Sequence, residues 1–155
     1  MTKTSAGILL YRKVNQRLEV FLVHPGGPLW EHRDSGAWSV PKGEFGHNEN
    51  AFAAAKREFA EETGFDIEGD YIELTPVRQS AAKTVYAWAV EGDVEATAMR
   101  SNSFTMQWPP KSGRYEEFPE VDRGEWFDLP TAKEKIVPGQ VPLLEQLEAI
   151  AGGSS

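Results

Sequence analysis

The chain contains no cysteine, which removes disulfides and thiolate metal sites from consideration. It has no stretch near the ~18 apolar residues that would cross a bilayer. Its N-terminus lacks the apolar core of a secretory signal, so no membrane partner and a cytoplasmic location are expected. Basic residues are in the minority, 16 against 24 acidic ones, for a formal net charge of −8. Broad contact with a nucleic-acid polymer needs a basic surface and is not expected. A small phosphorylated ligand remains compatible, because bound divalent cations reverse the sign of an acidic site. No internal repeat or convincing linker interrupts the chain. What is present is apolar substance: 40% hydrophobic residues, with eight Phe, five Trp and four Tyr among 155 residues. That is enough for one domain with a sizeable core, read here as residues 1–151, with 152–155 (GGSS) expected to be a disordered tail.

One segment concentrates the chemistry. Residues 43–65 read GEFGHNENAFAAAKREFAEETGF. Asn48 is a suitable N-cap, which would place Glu49 in the first turn, where the helix dipole favours an anion. Ala51 to Ala55 suit a helix, and Phe52, Ala55 and Phe59 make an apolar stripe. Gly64 is a fitting terminator after Thr63. The expectation is a helix from Glu49 to Thr63. On it Glu58, Glu61 and Glu62 fall at i, i+3 and i+4 and share a face. They lie near the negative end of the helix dipole, so a cation should compensate them. Oxygen ligands without Cys or neighbouring His suit Mg²⁺ or Mn²⁺ rather than Zn²⁺. A solvated acidic helix end is the bland alternative.

The spacing of Gly43, Glu49, Arg57-Glu58, Phe59, Glu61-Glu62, Gly64 and Phe65 fills every fixed position of G-x5-E-x7-R-E-U-x-E-E-x-G-U, where U is apolar. In this the chain resembles the Nudix hydrolases, which cleave nucleoside diphosphates linked to another moiety. The resemblance implies an α/β fold, an α/β/α sandwich with a mixed β-sheet between helices. It implies metal ligation by Glu58, Glu61, Glu62 and the Gly43 carbonyl, and a salt bridge between Arg57 and Glu49 that orients the catalytic loop. Related enzymes often carry a further carboxylate, as ligand or general base, before a late strand. Glu120 is the first choice for it here and Glu117 the second, with Glu58 the leading general base within the motif. Solvated loop charges are the competing reading of Glu116, Glu117 and Glu120.

Elsewhere, Ser5–Tyr11 and Leu18–His24 read as strands around a polar turn near Asn15, with both faces buried. Trp38–Val40 reads as a short strand and Pro41–Gly43 as a tight turn. Tyr71–Arg78, Lys83–Val90 and Arg123–Leu129 read as further strands. Leu143–Ile150 reads as a helix with Leu143, Leu144, Leu147 and Ile150 on one side. Residues 25–36 form a Pro/Gly-rich loop. In residues 100–120, Trp108 and Tyr115 could stack on a base, but Phe104, Met106 and Trp108 alternate as a half-buried strand would, and packing is favoured. Lys42 and Lys83 are candidate substrate contacts. Arg33 and Arg114 are weaker phosphate clamps, His24 and His32 read as hydrogen-bonded or surface histidines, and His47 as chemically idle.

The expected activity is Mg²⁺-dependent hydrolysis of a phosphoanhydride. The substrate is read as a nucleoside triphosphate or dinucleoside polyphosphate, and a homodimer is left open. Subgroup marks do not narrow this. No SQPWPFPxS-like segment follows the motif. The nearest downstream proline, Pro76, comes earlier than in the ADP-ribose type. Ala81, Ala82 and Lys83 stand where dinucleoside tetraphosphate hydrolases carry a tyrosine. The wider chain, including Trp38–Glu44 and FPEVDRGEWF from Phe118 to Phe127, is similar to a bacterial set described as predicted NTP pyrophosphohydrolases. The alternative is a catalytically idle Nudix-fold module that senses a nucleotide or binds a protein. Such modules usually lose motif carboxylates, and this chain keeps them all.

Overall fold

A computed structural model describes residues 3–152. The first apolar run becomes β1 (Lys3–Val14) and the second β2 (Arg17–Pro25). They pair antiparallel around Asn15 and Gln16, which have φ of 52° and 68°. β3 (Lys42–Glu44) leads into α1 (Ala51–Thr63), and the short strands β4 (Ile72–Glu73) and β5 (Val77–Ser80) precede β6 (Lys83–Glu91). Then come β7 (Ser103–Gln107), β8 (Tyr115–Pro119), β9 (Val121–Asp128), α2 (Leu129–Lys135) and α3 (Val141–Ala151). The main sheet runs β4-β6-β1-β2-β9, with β3 also on β1 and β5 also on β6. β1 and β6 are parallel and every other pair in it is antiparallel. β7 and β8 form a separate two-stranded hairpin.

Strand alternation sends successive residues of β1 to opposite layers. Ala6, Ile8 and Leu10 pack with Ala54, Ala55 and Phe59 of α1. Leu9 and Tyr11 pack with Leu129 and Ala132 of α2 and Leu143, Leu144 and Leu147 of α3. The fold is thus the expected mixed sheet between helices, and β1 and β2 are buried on both faces as their apolar runs implied.

Four local expectations are corrected. α1 starts later than expected, because Asn50 rather than Asn48 is its N-cap and accepts a hydrogen bond from the Ala53 amide at 3.0 Å. Glu49 therefore precedes the helix. Lys42–Glu44 is a strand, not a turn, held against Ser5–Gly7. Trp38 and Ser39 make only isolated bridges, to Ile136 and Val23. The stretch from Tyr71 to Arg78 is split into β4 and β5, consistent with Pro76 lacking the amide a ladder needs. α2 was not anticipated: Asp128 caps it through the Thr131 amide at 2.8 Å, and Pro130 opens its first turn. Of the expected tail, Gly152 follows α3 as its C-cap, and residues 153–155 lie outside the described residues. Among the described residues no helix is long and apolar enough to cross a membrane.

Candidate active site

The end of α1 is the foundation of the site. Gly64 closes the helix at φ 78°, a left-handed conformation natural to glycine. The last carbonyls of a helix need outside donors. Those of Glu61 and Thr63 accept hydrogen bonds from the Asn102 and Arg100 amides, both at 2.8 Å. This stitches the root of the β7–β8 hairpin to the acidic end of α1. The Asn102 carbonyl in turn accepts from the Glu120 amide at 2.7 Å, and the Glu120 carbonyl from the Gly26 amide at 2.9 Å. Glu120 is thereby held by its backbone on both sides.

Four side chains radiate from the helix face. Arg57 grips Glu49 with two bonds, Nε to Oε2 at 2.8 Å and Nη2 to Oε1 at 3.0 Å. Its Nη1 donates to Glu58 at 2.9 Å and reaches Glu61 at 3.3 Å. The hydrogen bonds from Arg57 to Glu49, above all, hold the guanidinium pKa above its ordinary value. Glu58 is buried and lies against Gly43, where any side chain would collide with its carboxyl group. Burial raises the Glu58 pKa, against the pull of Arg57. Glu62 turns the other way and accepts a hydrogen bond from the Lys42 amide at 3.1 Å. Burial pushes its carboxyl pKa up to about 8, with Glu58 and Glu120 adding repulsion. Glu120 is raised as well, by burial and then by Glu61.

Glu62 and Glu120 line a cleft of about 160 Å³ with Lys42, Ser39, Val40 and Pro25. It opens where β2 and β9 part from β1 and β3. Burial lowers the Lys42 pKa, and Lys42 makes no ion pair among the described residues. The floor is fixed from afar. Buried Gln140 accepts from the Val40 amide at 3.1 Å and donates to Ser39 Oγ and Gln79 Oε1, each at 3.0 Å. No local signal in the sequence points to Gln140, which lies 100 residues beyond its partner.

The structure brings together Gly43, Glu49, Arg57, Glu58, Glu61, Glu62, Glu120 and Lys42. Their carboxylates are not gathered into a ready-made ligand cluster among the described residues, since Arg57 occupies Glu58 and Glu61. The donor set nevertheless suits a hard divalent cation. It is all oxygen, it includes three carboxyl groups whose pKa is raised, and Gly43 leaves its backbone open beside one of them.

Other candidates fall outside the cleft. Lys83 is exposed at the start of β6, across from Lys3 on β1. Glu117 is exposed on β8, paired with Thr105. Arg33 lies 5.5 Å from the Trp30 ring, and Arg114 is exposed in the connection between β7 and β8. His24 is a buried, hydrogen-bonded histidine, with Nδ1 2.9 Å from Asp122 and Nε2 against the Arg33 carbonyl. His32 and His47 are exposed. Phe104 and Met106 belong to a strand as their alternation implied, and Phe104 packs on Phe118 at 6.0 Å. Tyr115 remains 68% exposed.

Comparison with known proteins agrees with this architecture. No curated protein matches the sequence. Among solved structures, the chain is similar to the NUDIX domain of Shewanella oneidensis NrtR complexed with ADP ribose, with 16% identity, a TM-score of 0.66, and 96% of this chain and 88% of that one covered. It is also similar to a Caenorhabditis elegans Ap4A hydrolase (21%, TM-score 0.62, 98% and 99% covered). A mutT/nudix family protein from Listeria innocua is a third (16%, 0.60, 95% and 92%). At these identities the likeness is one of fold. The family model for the NUDIX domain matches residues 1–147. On that match the chain belongs to the Nudix family, as a Nudix-type pyrophosphohydrolase.

Proposed function

We propose that the chain hydrolyses the phosphoanhydride of a nucleoside diphosphate linked to another moiety, within one catalytic domain spanning residues 1–151. The preferred substrates are a nucleoside triphosphate or a dinucleoside polyphosphate. The observation that carries the reading is the meeting of Glu58, lodged against Gly43, with Glu62 and Glu120 beside one cleft. Glu58, Glu61, Glu62 and the Gly43 carbonyl would hold Mg²⁺ or Mn²⁺. When bound, such an ion neutralises the diphosphate and makes a water more acidic.

The chain's own groups divide the remaining work. Lys42 offers its ammonium to a phosphate oxygen at the cleft wall. Arg57, clamped by Glu49, fixes the loop between β3 and α1 and orients Glu58. Removal of a proton from water falls to Glu120 rather than Glu58. One Glu58 oxygen already accepts from Arg57, whereas the Glu120 side chain makes no hydrogen bond among the described residues and its backbone is held on both sides. A base poised toward neutral pH by its surroundings is suited to the task.

Incubating the purified chain with a nucleotide panel and Mg²⁺, while measuring released phosphate, pyrophosphate and mononucleotide, tests the reading. Turnover of at least one nucleotide that requires the divalent ion is expected. Glu120→Gln should lower kcat by roughly a hundredfold or more with little change in KM. Absence of turnover across the panel would overturn the proposal, and near-normal kcat in Glu120→Gln would return the base to Glu58.

A further inference from the structure

A strand irregularity lies directly beside Glu120. β2 and β9 pair without a break from Glu19 and Asp128 to His24 and Arg123, but the next pair is Pro25 with Val121. Asp122 is therefore an extra residue in β9, a β-bulge. One inserted residue reverses the alternation of everything beyond it, and the packing shows that reversal. Arg123 lies abreast of His24 with its guanidinium 5.1 Å from the ring of Trp38, which belongs to the α2–α3 layer. Val121, two positions earlier, packs instead in the α1 layer with Ala55 and Phe59. In a regular strand residues two apart share a face. Without the bulge Val121 would turn to the other layer, and Glu120 would turn with it.

His24 holds the bulged residue in place. Its ring is buried, stands T-shaped against Trp38 at 5.2 Å, and sets Nδ1 2.9 Å from Asp122 Oδ1. The opposite nitrogen, Nε2, is bonded to the Arg33 carbonyl oxygen in the loop that follows β2. That loop leaves the sheet through Pro25, which lines the cleft beside Glu120, and Gly26, whose amide donates to the Glu120 carbonyl. Gly26 lies so close to this segment that a Cβ would strike the Pro119 carbonyl oxygen. One imidazole thus ties the bulge after Glu120 to the loop packed against it. Arg123 approaches Asp122 only at 3.8 Å, beyond hydrogen-bond reach, and does not duplicate the link. Burying a polar ring is costly unless its polar atoms are bonded. An apolar side chain would fill the space more cheaply, and what histidine adds is the connection between bulge and loop.

We propose that His24 is a positioning residue: by holding Asp122 in the bulge and Arg33 in the loop, it directs Glu120 into the cleft. The inference rests on the reading of Glu120 as the base of a phosphoanhydride hydrolase. His24 touches neither substrate nor metal in this role and acts through Asp122. Its loss lets the bulge relax and moves Glu120 away from the reacting water. The chemical step slows, while the groups that bind phosphate stay where they are.

Asp122→Ala cuts the link at a partly exposed position, where the fold should survive. For a nucleotide the chain hydrolyses, kcat should fall roughly a hundredfold, the cost of about 1 Å of misplacement, with KM changed by less than about threefold. Asp122→Asn keeps an oxygen for His24 Nδ1 and should recover at least about tenfold of that loss. Amide hydrogen exchange, read residue by residue in the full chain, gives a second measure independent of turnover. In Asp122→Ala the Gly26 and Glu120 amides should exchange about tenfold faster or more, with the amides of β1 and β6 unchanged. His24→Phe keeps a ring against Trp38 but loses both bonds, and should match Asp122→Ala in both readouts; should it fail to fold, the Asp122 pair decides. Unchanged kcat in Asp122→Ala, no recovery in Asp122→Asn, or unchanged exchange at Gly26 and Glu120 would overturn the assignment. So would exchange that quickens equally in β1 and β6, which marks general loosening. If the unsubstituted chain hydrolyses no nucleotide, the hydrolase reading fails, and exchange still decides whether His24 pins the segment carrying Glu120.

Discussion

At the scale of single residues, the site depends on how closely a carboxyl group can approach a backbone. Gly43 meets the Glu58 carboxyl group where any Cβ would lie. Gly43→Ala must therefore push Glu58 or β3 aside, and a displacement of about 1 Å at a reacting centre costs roughly a hundredfold in rate. The expected outcome is that loss in kcat with a modest fall in thermal midpoint; unchanged kcat would show that the approach has no catalytic consequence. Glu62→Gln makes the complementary case. Its amide oxygen can still accept from the Lys42 amide, and it removes a carboxyl group whose ionised form burial disfavours. The thermal midpoint should hold or rise while kcat at saturating Mg²⁺ falls by roughly a hundredfold or more, since a ligand charge is lost. Near-normal turnover would count against ligation by Glu62. Residue identities here were open to a reader of the sequence, because the spacing of Gly43, Glu58, Glu61 and Glu62 is itself a pattern. The division of labour was not. That Arg57 takes Glu58 and Glu61 while Glu62 turns to the Lys42 amide depends on side-chain directions that spacing alone leaves undetermined.

Elements were readable where periodicity was strong and less so where capping or a single proline decides. β1, β2, β6, β9 and α3 announce themselves through apolar runs or a one-sided stripe. α1 does too, but its start turns on two asparagines two residues apart. Asn50 is the one whose side chain reaches the Ala53 amide. Asn50→Ala should destabilise the fold by about 1 kcal/mol in urea unfolding, whereas Asn48→Ala should change stability little. Equal effects would return the cap to Asn48. α2 was missed because a seven-residue helix carries too short a period to stand out, and its evidence is a cap at Asp128 with Pro130 just inside. β3 escaped notice for a different reason. Three residues become a strand only because Ser5–Gly7 offers them an edge, which is a tertiary fact.

At the scale of the whole molecule, strand order and the bonds that span it lie beyond local pattern. Gln140 ties Val40 and Ser39 to Gln79 across the floor of the cleft. Gln140→Leu would strand buried polar partners, at about 2 kcal/mol or more, and should lower the chemical-denaturation midpoint accordingly; an unchanged midpoint would mean the partners find other bonds. Asp34 performs a similar bridging task nearer the surface, joining the loop after β2 to α2 through Lys135 and accepting from Trp38 Nε1 at 2.8 Å. The hydrogen bond from Lys135, and then that from Trp38, hold its carboxyl pKa below the ordinary 3.8. A carboxyl group depressed on folding stabilises the native state above its unfolded pKa, and that contribution disappears as pH falls through the lower folded value. Asp34→Asn keeps one acceptor oxygen where the two donors use two, and removes the charge. Its thermal midpoint should lie below that of the unsubstituted chain near pH 7, and the gap should close on acidification below about pH 4. Because Asp34 is substantially exposed, added salt should narrow the gap at neutral pH as well. A gap that persists unchanged into strong acid, or none near neutrality, would show that the bridge acts through packing rather than charge.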